Sequence, residues 1–412
     1  MYIKRNIEKK FKKYFLNAPE IIAVVGPRQS GKTTLVKHLL ESRKKKVMLS
    51  FDNQEDRQMF ENNPDDFAGV YIKKGSVLFI DEFHYAKNGG KILKYIYDAY
   101  DHPKIIISGS SGIDLTIKAV KYLVGRVFII NLYPFDFREF LRSKDVSILK
   151  LYDKYKKSFN FAEGQDLSIF GKEIYKKFLR YYEEYILFGG YPRVVLEKNK
   201  EVKKQILKDI YNTYFLREVK DILGLIDDYK LSNLIKALSL QVGNLIDYEE
   251  LGQSSGFDFK TLKKYLNFLE KTYICRFMRP FFKNKRIEVV KNPKVYFIDM
   301  GMRNLIANDF RAVNERTDGG ALLENGLASQ FIKQEIDVNF WRDKNKNEID
   351  FVLSLGNGKL VALESKLNLK KLSMKGIKTF QKLYPKSHFY WTTLSIGEKI
   401  PDKTNVIPCC FL

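Results

Sequence analysis

Cysteine is scarce: Cys275, Cys409 and Cys410 are the only three in 412 residues, and two of them are adjacent. No disulfide framework can be built from them, which fits a reducing, cytoplasmic interior. There is also no run of about 18 consecutive apolar residues, so neither a membrane span nor a membrane partner is expected. The opening stretch MYIKRNIEKKFKKYF is basic and amphipathic but lacks the apolar segment of a secretory signal. The 4 histidines, His38 and His84 among them, show no metal-ligand spacing and read as structural. Acidic residues are under-represented, 49 against 72 Lys and Arg, for a formal charge of +23. Such an excess favours a polyanion such as nucleic acid, provided the charge clusters. A generally Lys-rich and Ile-rich proteome is the bland alternative.

What is present is the composition of a folded protein, 45% hydrophobic and 29% charged, long enough for about two to four domains. Five apolar runs, IIAVV (21–25), VMLSFD (47–52), SVLFID (76–81), KIIISGS (104–110) and VFIINL (127–132), alternate with helical patterns. Runs apolar on both faces predict a parallel sheet covered on both sides, an α/β domain. From about 136 to 230 the pattern is helical and rich in Tyr, Lys and Phe, with FGGYP (188–192) as a hinge or tight turn. RTDGGA (316–321) reads as a linker, and strands return in the last hundred residues.

GPRQSGKTT, residues 26–34, satisfies G-x-x-x-x-G-K-[ST] between an apolar strand and a helix. Gly26 and Gly31 let backbone amides wrap a β-phosphate at the positive end of the helix dipole. Pro27, Arg28, Gln29, Ser30 and Thr34 complete the cradle. Lys32 can reach the β- and γ-phosphates of ATP, and the Thr33 hydroxyl can bind Mg²⁺. About 50 residues on, VLFIDEF (77–83) ends a strand in two acids. Asp81 suits the magnesium and its water, and Glu82 suits polarising the attacking water. Ser110, at the end of IIISGSS, either senses the γ-phosphate or caps the next helix. An Asp-Glu pair suits water activation better than transfer to a small-molecule acceptor, which disfavours a kinase.

GPRQSGKTTL, LFIDEFHYA, ISGSS and YLVGRVFIINLYPFDFREFL together resemble an ATPase family of the AAA+ type, found in archaea and bacteria, with a region of unknown role fused behind the ATPase. The resemblance implies a sheet whose first strand lies between later ones. It also implies that Arg126 is a candidate arginine finger, supplied to a neighbour in a homo-oligomer; pairing with an acid of its own domain is the alternative.

YEELGQSSG and FDFKTLKKYLNFLEKT, within 244–277, read as two short helices joined at Gly256. Leu262, Tyr265, Leu266 and Leu269 share one face and Lys260, Lys263 and Lys264 the other. Two such helices resemble a helix-turn-helix, and the stretch after them a β wing with Lys283, Lys285 and Arg286 at its tip. The lysines suit DNA phosphates rather than base edges.

LLENGLASQFIKQEI is a helical pattern that places Glu324 in its first turn with Leu323, Leu327, Phe331 and Ile332 on its buried side. EIDFVLSL and KLVALESK then form two strands about a Gly-Asn-Gly turn, bearing Asp350, Glu364 and Lys366. Three converging carboxylates repel unless a cation neutralises them, and hard oxygen donors favour Mg²⁺ or Mn²⁺. A solvated strand face is the plainer alternative. The order Glu, Asp, Glu-x-Lys resembles the PD-(D/E)xK nucleases. That resemblance implies a restriction-endonuclease-like α/β domain with Glu324, Asp350 and Glu364 as metal ligands and Lys366 as the catalytic lysine. NEID departs from its Pro-Asp step.

The expected organisation is a P-loop ATPase domain (1–145), a helical lid or connector (146–230), a winged helix (231–315) and a nuclease-like domain (316–412). The expected function is ATP hydrolysis coupled to DNA binding or metal-dependent DNA cleavage. The alternative is a nucleotide switch whose tail docks a protein.

Overall fold

The computed structural model describes residues 2–109, 120–158, 172–212, 228–282, 286, 288, 291–355, 359–369, 372–394 and 405–412. Ser110, the wing-tip residues Lys283 and Lys285, and the Gly-Asn-Gly turn lie outside them. The chain divides into two compact units, residues 1–135 with 267–273, and residues 136–266 with 274–412.

The first unit is built on the five apolar runs. They form strands β1 (Ile21–Val25), β2 (Lys46–Ser50), β3 (Val77–Asp81), β4 (Lys104–Gly109) and β5 (Val127–Asn131). Their order is β2-β3-β4-β1-β5, with every pairing parallel. Successive side chains of a strand point to opposite faces, so each strand feeds two cores. Ala23, Val25, Leu78, Ile80, Ile105 and Ile107 meet an aromatic layer of Phe51, Phe60, Phe67 and Phe83 on one face. Ile22, Val24, Phe79 and Ile106 meet Phe11, Leu35 and Val36 on the other. Burial fades at the two edges: β1 and β3 are buried throughout, whereas β2 is half-buried along its length and β5 mostly so. The helices Glu8–Asn17 and Lys32–Leu39 supply the cover of the second face.

The second unit opens with the helices Phe137–Lys144, Val146–Ser158 and Lys172–Phe188. Asp136 starts it with a reciprocal cap, accepting from Glu139 N at 2.8 Å while Glu139 Oε2 accepts from Asp136 N at 3.3 Å. Phe137, Tyr152, Phe178, Tyr182 and Tyr185 make its aromatic core, which Phe411 joins. FGGYP is a packed turn rather than a loose hinge. Gly189 has φ +76°, and the Gly190 N–H donates to Asp299 Oδ2 at 2.7 Å.

The two helices about Gly256 are Tyr248–Ser255 and Phe259–Lys271, with Gly256 in the left-handed region at φ +72°. Leu262, Tyr265, Leu266 and Leu269 are buried, and Lys260, Lys263 and Lys264 exposed. After them β6 (Cys275–Met278) pairs antiparallel with β7 (Lys294–Phe297). The stretch 316–321 is not loose chain: Arg316 and Asp318 form an ion pair at 2.7 Å, Asp318 also takes the buried Arg303 at 2.6 Å, and a helix begins at Gly319.

That helix, Gly319–Lys333, precedes a mixed sheet of β8 (Val338–Arg342), β9 (Glu348–Ser354), β10 (Leu360–Lys366), β11 (Ser387–Thr393) and β12 (Val406–Pro408), ordered β12-β11-β10-β9-β8. β9 runs antiparallel to its neighbours β8 and β10, whereas β11 is parallel to β10 and to β12. Trp341 packs edge-on against Phe380 in this domain's core.

Candidate functional sites

The phosphate loop leaves β1 at Val25 and enters the helix at Lys32. Only glycine fits at its start: a Cβ on Gly26, φ +156°, would stand 2.2 Å from the Leu132 carbonyl oxygen. Gly31, φ +96°, turns the chain into the helix. Pro27 is buried, Gln29 and Thr34 exposed. The Ser30 side chain is fully buried, and its hydroxyl has no hydrogen-bond partner among the described residues. Lys32 Nζ donates to the Gly26 and Pro27 carbonyls, 3.0 Å each. An ammonium held on carbonyls beside a buried, unpartnered hydroxyl and an amide-rich turn is a donor set that fits a polyphosphate.

β4 lies between β1 and β3, so it brings Ser108 beside the acid at the end of β3. Thr33 Oγ1 donates to Asp81 Oδ2 at 2.5 Å, and the Ser108 hydroxyl donates to Oδ1. The next residue, Glu82, adopts a left-handed backbone at φ +49°, a conformation that costs about 1 kcal/mol or more in a non-glycine residue. His84 Nδ1 stands 3.2 Å from Glu82 Oε2. Burial pushes the Glu82 carboxyl up, but His84, Lys32 and Arg28 outweigh it and hold it below the usual carboxylate range. Glu82 is therefore an anion at neutral pH, able to accept a proton or orient a water.

The second cluster lies in the C-terminal unit. Glu324 from the helix, Asp350 from β9, and Glu364 and Lys366 from β10 are electrostatic neighbours. Glu324 sits in the helix's second turn, since the helix begins at Gly319. Lys366 Nζ donates to Glu364 Oε1 at 2.8 Å, and the Ser365 N–H donates to Asp350 Oδ2 at 2.8 Å. Burial raises the Glu324 carboxyl, opposed by Lys294 and reinforced by Asp350. Burial and the Asp350 charge raise Glu364 against Lys366. Two further side chains come from β7. Lys294 Nζ reaches Glu324 Oε1 at 3.1 Å and Glu348 Oε1 at 2.5 Å, and the Tyr296 hydroxyl donates to Glu324 Oε1. Among the described residues no group of three or more His, Cys, Asp or Glu side chains is arranged to hold a metal. The oxygens are turned toward Lys294, Tyr296, Lys366 and backbone amides, so Mg²⁺ or Mn²⁺ does not fit this cluster as it stands.

The phosphate loop and the acids facing it lie within a segment, residues 18–141, that matches the family model described as an AAA domain. This segment is an AAA domain. That match supports a nucleotide-binding ATPase in this segment, as the resemblance implied. Residues 179–312 and 319–412 match two further models, each described as a domain of unknown function (DUF8612 and DUF4143). An uncharacterized protein of Methanocaldococcus jannaschii is 25% identical over 365 residues, 85% of this chain and 75% of its own. An uncharacterized protein of Haemophilus influenzae is 24% identical over 368 residues, 82% of this chain and 80% of its own. The Aeropyrum pernix ORC2 protein in its ADP form superposes with a TM-score of 0.33 at 10% identity, covering 76% of this chain and 96% of that one. A superposition that loose constrains neither fold nor function.

Outside the phosphate loop, Arg126 of the AAA domain makes a two-point pair with Asp98, at 2.7 and 3.0 Å. A trans role would require it to leave that partner. Sequence reasoning missed three contributors to these sites. Arg5 donates from Nη1 to Ser30 O at 2.9 Å and from Nη2 to Tyr133 O at 2.6 Å, pinning the back of the phosphate loop. His84 shows no metal-ligand spacing in the sequence, yet it borders Glu82. Lys294 lies in KVYF, which reads as an ordinary strand. Only the unusual Lys in an otherwise buried run marks it.

Proposed function

We propose that the AAA domain hydrolyses ATP between residues 26–34 and the acids at the end of β3, and that the second unit uses the nucleotide state to hold duplex DNA. Within this reading residues 146–230 are the connector, 231–315 the winged helix and 316–412 a nuclease-like domain. The observation that carries it is the hydrogen bond from Thr33 to Asp81, 2.5 Å, with Ser108 on the other carboxylate oxygen. It presents a hydroxyl and a carboxylate together at the mouth of an amide-rich loop.

Magnesium, when bound with ATP, supplies positive charge against the β- and γ-phosphates. Thr33 and Asp81 are the residues that would hold it. The amides between Gly26 and Thr33 bind and orient the phosphates. Lys32 transfers from the Gly26 and Pro27 carbonyls to phosphate oxygens. Glu82, kept anionic, orients the attacking water and accepts its proton.

The test is phosphate release from ATP in the absence of any second substrate. Wild type releases phosphate. Lys32→Ala loses nucleotide binding, and Glu82→Gln binds nucleotide but hydrolyses it about 10²–10⁴-fold more slowly. Phosphate release unchanged in Glu82→Gln would remove Glu82 from the reaction, and release only with an acceptor would restore the kinase reading.

The alternative for the C-terminal domain, an inactive nuclease-like or docking module, is favoured over DNA cleavage by the position of Lys294 within the acidic cluster.

A further inference from the structure

The geometry points to Lys294 as the resident cation of the C-terminal acidic cluster, taking the position a divalent metal would need and locking β7 to the C-terminal sheet. This deepens the inactive-module reading of that domain and is independent of ATP hydrolysis.

Lys294 is 2% exposed, and a buried ammonium is tolerated only when several acceptors surround it. Three carboxylates do so. Glu324 comes from the helix at 3.1 Å, Glu348 from β9 at 2.5 Å, and the Asp350 charge acts on the same ammonium. The remaining valences are taken as well. Arg342 Nη1 holds Glu348 Oε2 at 3.0 Å, Lys366 holds Glu364 Oε1 at 2.8 Å, and the Ser365 amide holds Asp350 Oδ2. Glu324 Oε2 faces the Gly243 backbone so closely that a Cβ there would come within 3.2 Å of it. Four carboxylates thus meet three cationic side chains. The repulsion that would otherwise demand Mg²⁺ is largely cancelled within the chain. A metal could enter only if the Lys294 ammonium left Glu324 and Glu348, and the β6–β7 pairing, Met278 opposite Lys294, sets where its side chain starts.

The experiment uses the full chain without nucleotide, so that the phosphate loop contributes no metal site. Mn²⁺ is titrated by electron paramagnetic resonance and by thermal melting. Wild type takes up no Mn²⁺ that Asp350→Asn abolishes, and its melting temperature does not respond to the metal. Lys294→Met melts roughly 10 °C lower, because removing one partner strands buried carboxylates, and Mn²⁺ recovers part of that loss. Lys294→Met combined with Glu324→Gln regains most of the stability without metal, since the charge and its countercharge leave together. The proposal is overturned if wild type binds Mn²⁺ at a site that Asp350→Asn removes. It is overturned equally if Lys294→Met melts like wild type and ignores the metal. Should Lys294→Met fail to fold, the wild-type titration decides alone. Phosphate release from ATP is measured in parallel, and its presence or absence leaves this outcome unaffected.

Discussion

Glu82 combines three features that rarely coincide in a surface turn: a left-handed backbone, a mostly buried side chain and an imidazole 3.2 Å from its carboxylate. The backbone conformation turns the residue immediately after β3, and His84 then fixes which way the carboxylate faces. Since His84, Lys32 and Arg28 hold the carboxyl below the usual range against burial, the acid limb of ATP hydrolysis belongs below about pH 4.5. The direction of change on mutation follows. His84→Ala removes the first of the lowering influences and leaves the burial that raises, so the acid limb moves up in pH while the alkaline side stays put. The pH dependence of kcat/KM between about pH 4 and 8 reads this out directly. Superimposable profiles for wild type and His84→Ala would mean the imidazole only fills space. The sequence made Glu82 legible through its place after an apolar run. It hid His84, because a contact two residues apart across a tight turn has no periodic signature.

At the scale of elements, what could be read in advance was whatever depends on local order. The five apolar runs became the five parallel strands because parallel strands under helices on both faces bury both sides of the central strands. The face of the helix Phe259–Lys271 was visible in its 3.6-residue spacing. Contacts that join distant segments were not visible. Arg5 reaches Tyr133 across 128 positions, and Lys294 reaches Glu324 across 30. The FGGYP turn shows the same limit: its glycines announced a turn but not its partner, the N-terminus of the helix Met300–Ala307. Gly301 of that helix approaches the Phe188 carbonyl so closely that a Cβ would stand 2.1 Å from the oxygen. Backbone cannot step aside as a side-chain tip can, so Gly301→Ala should cost about 2–4 kcal/mol. Gly320 is the control. It lies in the helix Gly319–Lys333 with nothing within 4 Å of its added Cβ, and alanine there should be neutral or stabilise by up to about 1 kcal/mol. Urea denaturation of both variants gives the two values on one scale. A Gly301→Ala midpoint equal to that of Gly320→Ala would show that the turn yields freely.

For the whole molecule the question is whether a charge of +23 is a partner's imprint or a background of lysine. Net charge alone decides little, because lysines spread evenly attract any polyanion weakly. Clustering is what produces a defined number of phosphate contacts, and the face of Lys260 and Lys264 on the helix Phe259–Lys271 is one place where it occurs. Lys263 on the same face lies over the Phe259 ring at 4.4 Å, which ties its ammonium down and leaves its neighbours as the freer cations. If this helix meets duplex DNA, affinity falls linearly in log–log coordinates with salt, and about six phosphate contacts would lower it roughly 10³-fold between 50 and 200 mM. Lys260→Ala with Lys264→Ala should then weaken binding to every sequence alike and reduce the salt slope by about two contacts. Fluorescence anisotropy on one duplex at four salt concentrations measures both quantities. A slope that the double substitution leaves unchanged would place the DNA elsewhere on the molecule. Binding that is absent or indifferent to salt would instead favour a protein as the partner of the second unit, because only phosphate neutralisation releases the condensed counterions that make the slope.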